Sequence, residues 1–140
     1  MSEEGQKIVN DEGYICLKAE GKYTGSGKKG KIALAGSTSV APLMDKIKDA
    51  YAKINPDVTI EIQESGSSAG IQAAMEGAAQ IGMSSRELKD EELSAGLTSK
   101  QIAMDGIAVI INNNNPLTGL TSEQVKNIYT GEITNWDEVK

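Results

Sequence analysis

Histidine is absent from these 140 residues. That removes the commonest general base and the commonest zinc ligand. Cysteine is nearly absent as well: Cys16 stands alone, so no internal disulfide can form and no Cys/His metal site can be assembled. A buried free thiol is the expectation for Cys16, from the burial habit of the residue. It follows "DEGYI" rather than an apolar leader, which is not the setting of a lipid-attachment site. No run is long and apolar enough to cross a membrane, and the opening "MSEEGQK" is polar, unlike a signal peptide. Positive charge is in deficit too, with 14 Lys and Arg against 20 Asp and Glu, a net charge of −6. Nucleic acid and anionic membrane are therefore disfavoured as main partners. A small anion is not, because local backbone dipoles can outweigh global charge. The acidic run Asp90-Glu91-Glu92 lacks the spacing of a calcium loop and reads as a solvated helix start. No metal and no cofactor are expected.

What is present is the material of a soluble α/β domain. Hydrophobic residues make up 39% and charged residues 24% of a chain long enough for one real core. Residues 1–30 are an extension: "KIV-NDEG-YICLKA" predicts a hairpin turning at Asn10–Gly13, followed by a flexible connector, "GKYTGSGKKG". Residues 31–112 form the α/β lobe. "KIALA" predicts a strand, Leu43 to Ile54 an amphipathic helix with Pro42 in its first turn, and Val58–Gln63 an alternating strand. A second helix carries Ile71, Ala74, Met75 and Ala78. "QIGM" is a brief strand, Asp90–Ala95 a short helix, and Gln101–Ile111 a long apolar strand interrupted at Asp105-Gly106. Alternating strands and helices predict a three-layer fold, a mostly parallel sheet with helices on both faces. Residues 113–140 are helical, with Thr121-Ser122-Glu123-Gln124 as a capping box. Thr130-Gly131 ends that helix, and Trp136 is expected to pack.

Three clusters rich in hydroxyl groups share one context: Gly36–Ser39, Ser65–Gly70 and Ser84-Ser85-Arg86 each follow a predicted strand and precede a predicted helix. In a parallel sheet all three lie beyond the carboxyl ends of the strands, where such sheets bind ligands. Helix starts offer unpaired N–H groups and partial positive charge, glycines allow close backbone approach, and hydroxyls donate without charge. Arg86 could add a bidentate cation. The chemistry suits an oxyanion; ordinary helix capping by Ser and Thr is the alternative.

Three motifs are declined. Gly66-Ser67-Ser68-Ala69-Gly70 matches a nucleophile elbow, but without histidine it has no base. Ser26 and Lys29 have the spacing of a Ser/Lys pair but sit in the connector. "GSGKKGK" stops resembling a P-loop at Ile32 and precedes a strand instead of following one.

The segments "AGSTSVAPL", "ESGSSAGI", "IGMSSREL", "MDGIAVIIN" and "LTSEQVKNIYTGEITNWDEV" occur in the order and near the spacings of the phosphate-binding proteins of bacterial ABC transporters. The resemblance, to the PstS-like family of the periplasmic-binding-protein type, covers residues 31–140. It implies two α/β lobes closing on inorganic phosphate, delivery to a membrane permease, no catalysis, and an extracytoplasmic or membrane-associated location. By position, Thr38 and Ser39 correspond to a first phosphate-binding turn and Ser67 to a second. Ser85 falls where some members place an aspartate that accepts the proton of hydrogen phosphate. That departure removes the usual basis for separating phosphate from sulfate. It leaves Arg86 to supply charge, face solvent or pair with an acid. Ser37, Gly66, Ser68, Ser84 and Arg86 are the weaker members of the expected site. The other lobe's Arg and Ser-Gly-Thr-type loop have no counterpart here, so the sequence resembles a first lobe with the start of a second. The hairpin of residues 1–30 is expected to fill a sheet edge. A regulatory module that lost its ligand, or an enzyme on a phosphorylated substrate using Glu64 or Asp105, are the rival readings.

Overall fold

β1 (Gly30–Gly36) is the central strand of a three-stranded sheet. In the computed structural model, which describes residues 1–139, β1 pairs in parallel with β2 (Val58–Glu64) on one side and β3 (Ile81–Met83) on the other. The order is β2-β1-β3, and Gly36 lies opposite both Glu64 and Met83. All three strands thus reach their carboxyl ends at one level, and the order reverses about β1. Burial along β1 increases toward that end, where Leu34, Ala35 and Gly36 are buried.

The helices follow from apolar spacing on either side of this sheet. α2 (Ala41–Ile54) carries Pro in its first turn, where its missing N–H costs nothing, and ends at Asn55 before Pro56. It places Ala41 and Met44 against Leu34 and Met83, with Ile32, Ile60 and Ile62 around them. Burying a side chain such as Leu34 stabilises the fold by about 1.5–3 kcal/mol. α3 (Ser67–Met75) packs on β1 and β3. Its approach is so close that a Cβ at Gly70 would lie 2.3 Å from the Ala35 carbonyl oxygen. The parallel sheet with its helices is the expected α/β architecture.

Residues 1–30 depart from the expectation of a hairpin. Glu3–Asp11 is a helix, α1, with Ser2 as its N-cap, its side chain accepting the Gly5 N–H. Glu3 and Glu4 complement the helix N-terminus, Lys7 pairs with Asp11 one turn on, and Val9 is fully buried. The turn signal at Asn10–Gly13 is real but ends a helix. Nor does the segment add a full edge strand: it contributes a single antiparallel bridge between Ile15 and Met104. Residues 21–30 are not a loose connector. Tyr23 stacks on Tyr51 at 5.8 Å, and buried Asn55 accepts from both the backbone N–H and the hydroxyl of Ser26. Cys16, expected to be buried, is exposed, its thiol donating to the Gln6 carbonyl.

Gln101–Ile111 is a second departure. It forms no strand beyond the Met104 bridge, and Ile107 is fully exposed. An apolar run becomes a strand only when a neighbour takes up its backbone donors and acceptors. α4 (Asp90–Ser94) forms as expected, but Glu92 is buried, not solvated.

Two compact units result: Met1–Gly106, and the residues from Ile107 onward. The second contains α5 (Ser122–Thr130), whose start carries the expected Thr121/Gln124 capping box and whose end is Gly131 in the left-handed region, φ +79°. Asn135 caps a 3-10 turn, Trp136–Glu138. Trp136 is half-exposed and lines an apolar groove with Val125 and Ile128. Among the described residues no helix is long and apolar enough to cross a membrane.

Candidate functional site

The three hydroxyl clusters leave the sheet at adjacent points because the strand ends are in register, and backbone hydrogen bonds tie them together. The Gly36 carbonyl accepts the N–H groups of Ser65 and Gly66, both at 2.9 Å, and the Ser37 N–H donates to the Met83 carbonyl at 2.9 Å. Gly36 is required here. Its φ is +142°, and a Cβ would lie 2.1 Å from the Met83 carbonyl oxygen. One glycine therefore lets all three loops meet.

In the first cluster, Ser37 is buried and its carbonyl accepts from the N–H groups of Val40 and Ala41, closing the turn into α2. Its hydroxyl lies 3.0 Å from that of Ser39. Thr38 and Ser39 are exposed. No side chain caps α2. Tyr14, from the segment after α1, donates its hydroxyl to the Ser39 carbonyl at 3.2 Å and steadies this turn from outside the sheet.

In the second cluster, Gly66 at φ +84° precedes α3, which likewise has no capping side chain. Ser67 opens the helix and Ser68 is exposed beside it. In the third, Ser85 donates its backbone N–H to the Ser67 hydroxyl at 3.2 Å, and the two hydroxyls are 3.1 Å apart. Neutral hydroxyl donors and the uncapped start of α3 thus converge at one sheet edge. That set can satisfy the lone pairs of an oxyanion without burying several cations.

Ser84 and Arg86 behave differently. The Ser84 hydroxyl donates to the Arg86 carbonyl at 2.7 Å and accepts the Arg86 N–H at 3.1 Å, so it is engaged within its own loop. The Arg86 guanidinium makes a two-pronged pair with Glu92, at 2.7 and 2.9 Å, and donates to the Glu87 carbonyl. Of the three fates left open for Arg86, pairing with an acid is the observed one. The Arg86 guanidinium, helped by the Lys89 backbone N–H, holds the Glu92 carboxyl down to about 2. Glu92 in turn raises the Arg86 pKa further above its ordinary value. Tyr14 and Glu92 are the residues that sequence reasoning missed. Neither carries a local signal, since each acts across a loop.

A model described as a PBP superfamily domain matches residues 21–140. A relative from Streptococcus agalactiae, named Phosphate-binding protein PstS 2, is 47% identical over 139 residues, covering 99% of this chain and 47% of its own length. The protein of the same name from Streptococcus pneumoniae is 46% identical and is covered to 48%. Among solved structures, a phosphate ABC transporter phosphate-binding protein from Streptococcus pneumoniae superposes with a TM-score of 0.91 at 46% identity, over 99% of this chain and 54% of that one. A putative phosphate ABC transporter substrate-binding protein from Clostridium perfringens, solved with bound phosphate, gives 0.67 at 54% identity over 78% of this chain and 45% of that one. The chain spans about half the length of the relatives it matches. Nearly all of residues 1–30 fall within the matched length, so the resemblance extends further toward the N-terminus than residue 31. With a family model matched across most of its residues, the chain belongs to the PBP superfamily.

Proposed function

We propose that this chain supplies the first half of a binding site for inorganic phosphate, or a similar tetrahedral oxyanion, in an ABC-type uptake system. The observation that carries the reading is the meeting of the three loops at Gly36. It sets the Ser67 and Ser85 hydroxyls 3.1 Å apart, beside helix starts that no side chain caps. Thr38, Ser39, Ser67 and Ser85 are the proposed ligands. Ser37, Gly66 and Ser68 shape the turns, and Ser84 and Arg86 belong to the frame. Relatives named as phosphate-binding proteins, and a structural neighbour with bound phosphate, support the choice of ligand.

The proposed role is capture and delivery without chemistry. Donors dominate the cluster, and the proposed ligands are Ser and Thr hydroxyls with no histidine in the chain to serve them as a base. The complementary half of the site would come from a second lobe. Closure of two lobes sequesters a ligand, and a membrane permease would be the acceptor. Extracytoplasmic exposure follows from that role.

The test is a phosphate titration of the 140-residue chain followed by backbone amide NMR, with sulfate as the comparison. Saturable shifts confined to residues 36–39, 66–68 and 85 are expected, at low affinity because half the contacts are supplied. Submicromolar affinity on a verified monomer would contradict the half-site. No shift at millimolar phosphate would overturn phosphate binding by this lobe.

A further inference from the structure

We infer that Arg86 is a positioning residue, not an anion ligand: clamped on Glu92, it fixes the loop that holds Ser85 against Ser67. The inference rests on the proposed oxyanion site and assigns a different job to the one cation within its loops.

The geometry has three parts. First, three of the five guanidinium N–H groups are engaged away from the cluster: Nη1 donates to Glu92 Oε2 and to the Glu87 carbonyl, and Nη2 donates to Glu92 Oε1. A bidentate pair of this kind is both stronger and more rigid than a single contact. Second, Glu92 is itself anchored. It is buried, and its Oε2 also accepts the Lys89 backbone N–H at the start of α4. Turning Arg86 toward a ligand would leave that carboxylate buried and half-paired, which is strongly unfavourable. Third, the backbone of Arg86 is bound at both ends to the Ser84 hydroxyl. The residue between them is Ser85, whose N–H reaches Ser67. Side chain and backbone of Arg86 therefore hold Ser85 from one side while Ser67 meets it from the other. The charge that could have attracted an anion is neutralised 2.7 Å away by Glu92.

The two roles predict opposite signs for one substitution. If Arg86 were a ligand competed for by Glu92, Glu92→Gln would free it and strengthen phosphate binding. As a positioning clamp, Glu92→Gln and Arg86→Met break the same unit and weaken binding to a similar extent. The experiment uses the full chain in two arms. Without ligand, amide hydrogen exchange is measured at Ser85 and along β1. Ser85 should exchange about tenfold faster in both variants, the loss of one modest hydrogen-bond contribution, with Leu34 and Ala35 unchanged as proof that the fold persists. With inorganic phosphate, the Ser85 and Ser67 amide shifts give affinity, and both variants should bind several-fold more weakly than the parent chain. Unchanged Ser85 exchange in both variants overturns the inference, whether or not phosphate binds. So does tighter phosphate binding by Glu92→Gln. A parent chain that ignores phosphate while Ser85 exchange still rises in both variants would refute the oxyanion reading and leave the clamp standing.

Discussion

Ser67 and Ser85 stand 18 residues apart in the chain and meet through two contacts, hydroxyl to hydroxyl at 3.1 Å and the Ser85 N–H to the Ser67 hydroxyl at 3.2 Å. The asymmetry matters. The Ser67 oxygen serves both contacts, whereas the Ser85 hydroxyl serves one. Ser67→Ala should therefore do more damage than Ser85→Ala. We expect phosphate affinity to fall by the equivalent of about 1.5–3 kcal/mol for Ser67→Ala, the worth of a hydrogen bond to a charged partner. Unfolding free energy should move by only about 0.5 kcal/mol, as usual for positions open to solvent. Amide NMR titration and urea denaturation measure the two effects. A large loss of stability with affinity intact would make the pair structural.

Gly70 offers a steric test of how tightly α3 seats on the sheet. The Cβ of an alanine there would fall 2.3 Å from both the Ala35 carbonyl oxygen and the Gly36 Cα, neither of which can move without shifting β1. Overpacking of this kind costs about 1–3 kcal/mol, and backbone neighbours place Gly70→Ala at the upper end. Gly106→Ala is the control, because nothing lies within 4 Å of its added carbon. Urea unfolding should separate the two variants clearly. Equal midpoints would mean that α3 is free to retreat.

The chain wrote its central α/β unit plainly and its edges poorly. α2, β2 and α3 were legible from apolar periodicity and β1 and β3 as short apolar runs, and Gly36, Gly66 and the Ser/Thr runs marked the strand-to-helix turns. α1 was misread because the Asn10–Gly13 turn signal outweighed a quieter one, the Ser2 cap with Glu3 and Glu4 behind it. Gln101–Ile111 was misread because apolar content speaks of burial, not of a pairing partner. Clusters 36–39, 65–70 and 84–86 could be placed at one edge from the topology alone. The Arg86–Glu92 pair could not. Its members are six residues apart across a loop and a helix start, and a charge run normally faces water.

Acid should reveal Glu92. Its carboxyl sits at about 2 in the folded chain against an ordinary 4.5, so the folded state binds fewer protons than the unfolded state between those values. Stability linked to this group is fully present above pH 4.5 and is lost as pH falls toward 2. Glu20 has the same sign, held down to about 2 by Lys100 and the N-terminal amine. It is exposed, where ion pairs contribute little. Urea midpoints measured from pH 6 to pH 2 should fall for the parent chain, fall almost as far for Glu20→Gln, and flatten for Glu92→Gln. A Glu92→Gln profile parallel to the parent would remove Glu92 as the origin of the acid loss.

α5 depends on its ends more than on its packing. No residue of the helix is buried, although Val125 and Ile128 are half-covered. A helix of nine residues is marginal when isolated, so its caps carry weight. Thr121 accepts the Gln124 N–H, Gln124 returns the favour to the Thr121 N–H, and Gly131 closes the other end without a Cβ penalty. Thr121→Ala should cost about 1 kcal/mol of helix stability. Because no residue of the helix is buried, that loss should appear as a gain in amide exchange across residues 125–130. Central β1 amides in the parent chain should be the slowest to exchange and should not respond. If the α5 amides are as protected as those of β1 and ignore Thr121→Ala, burial against other groups, and not capping, sustains the helix.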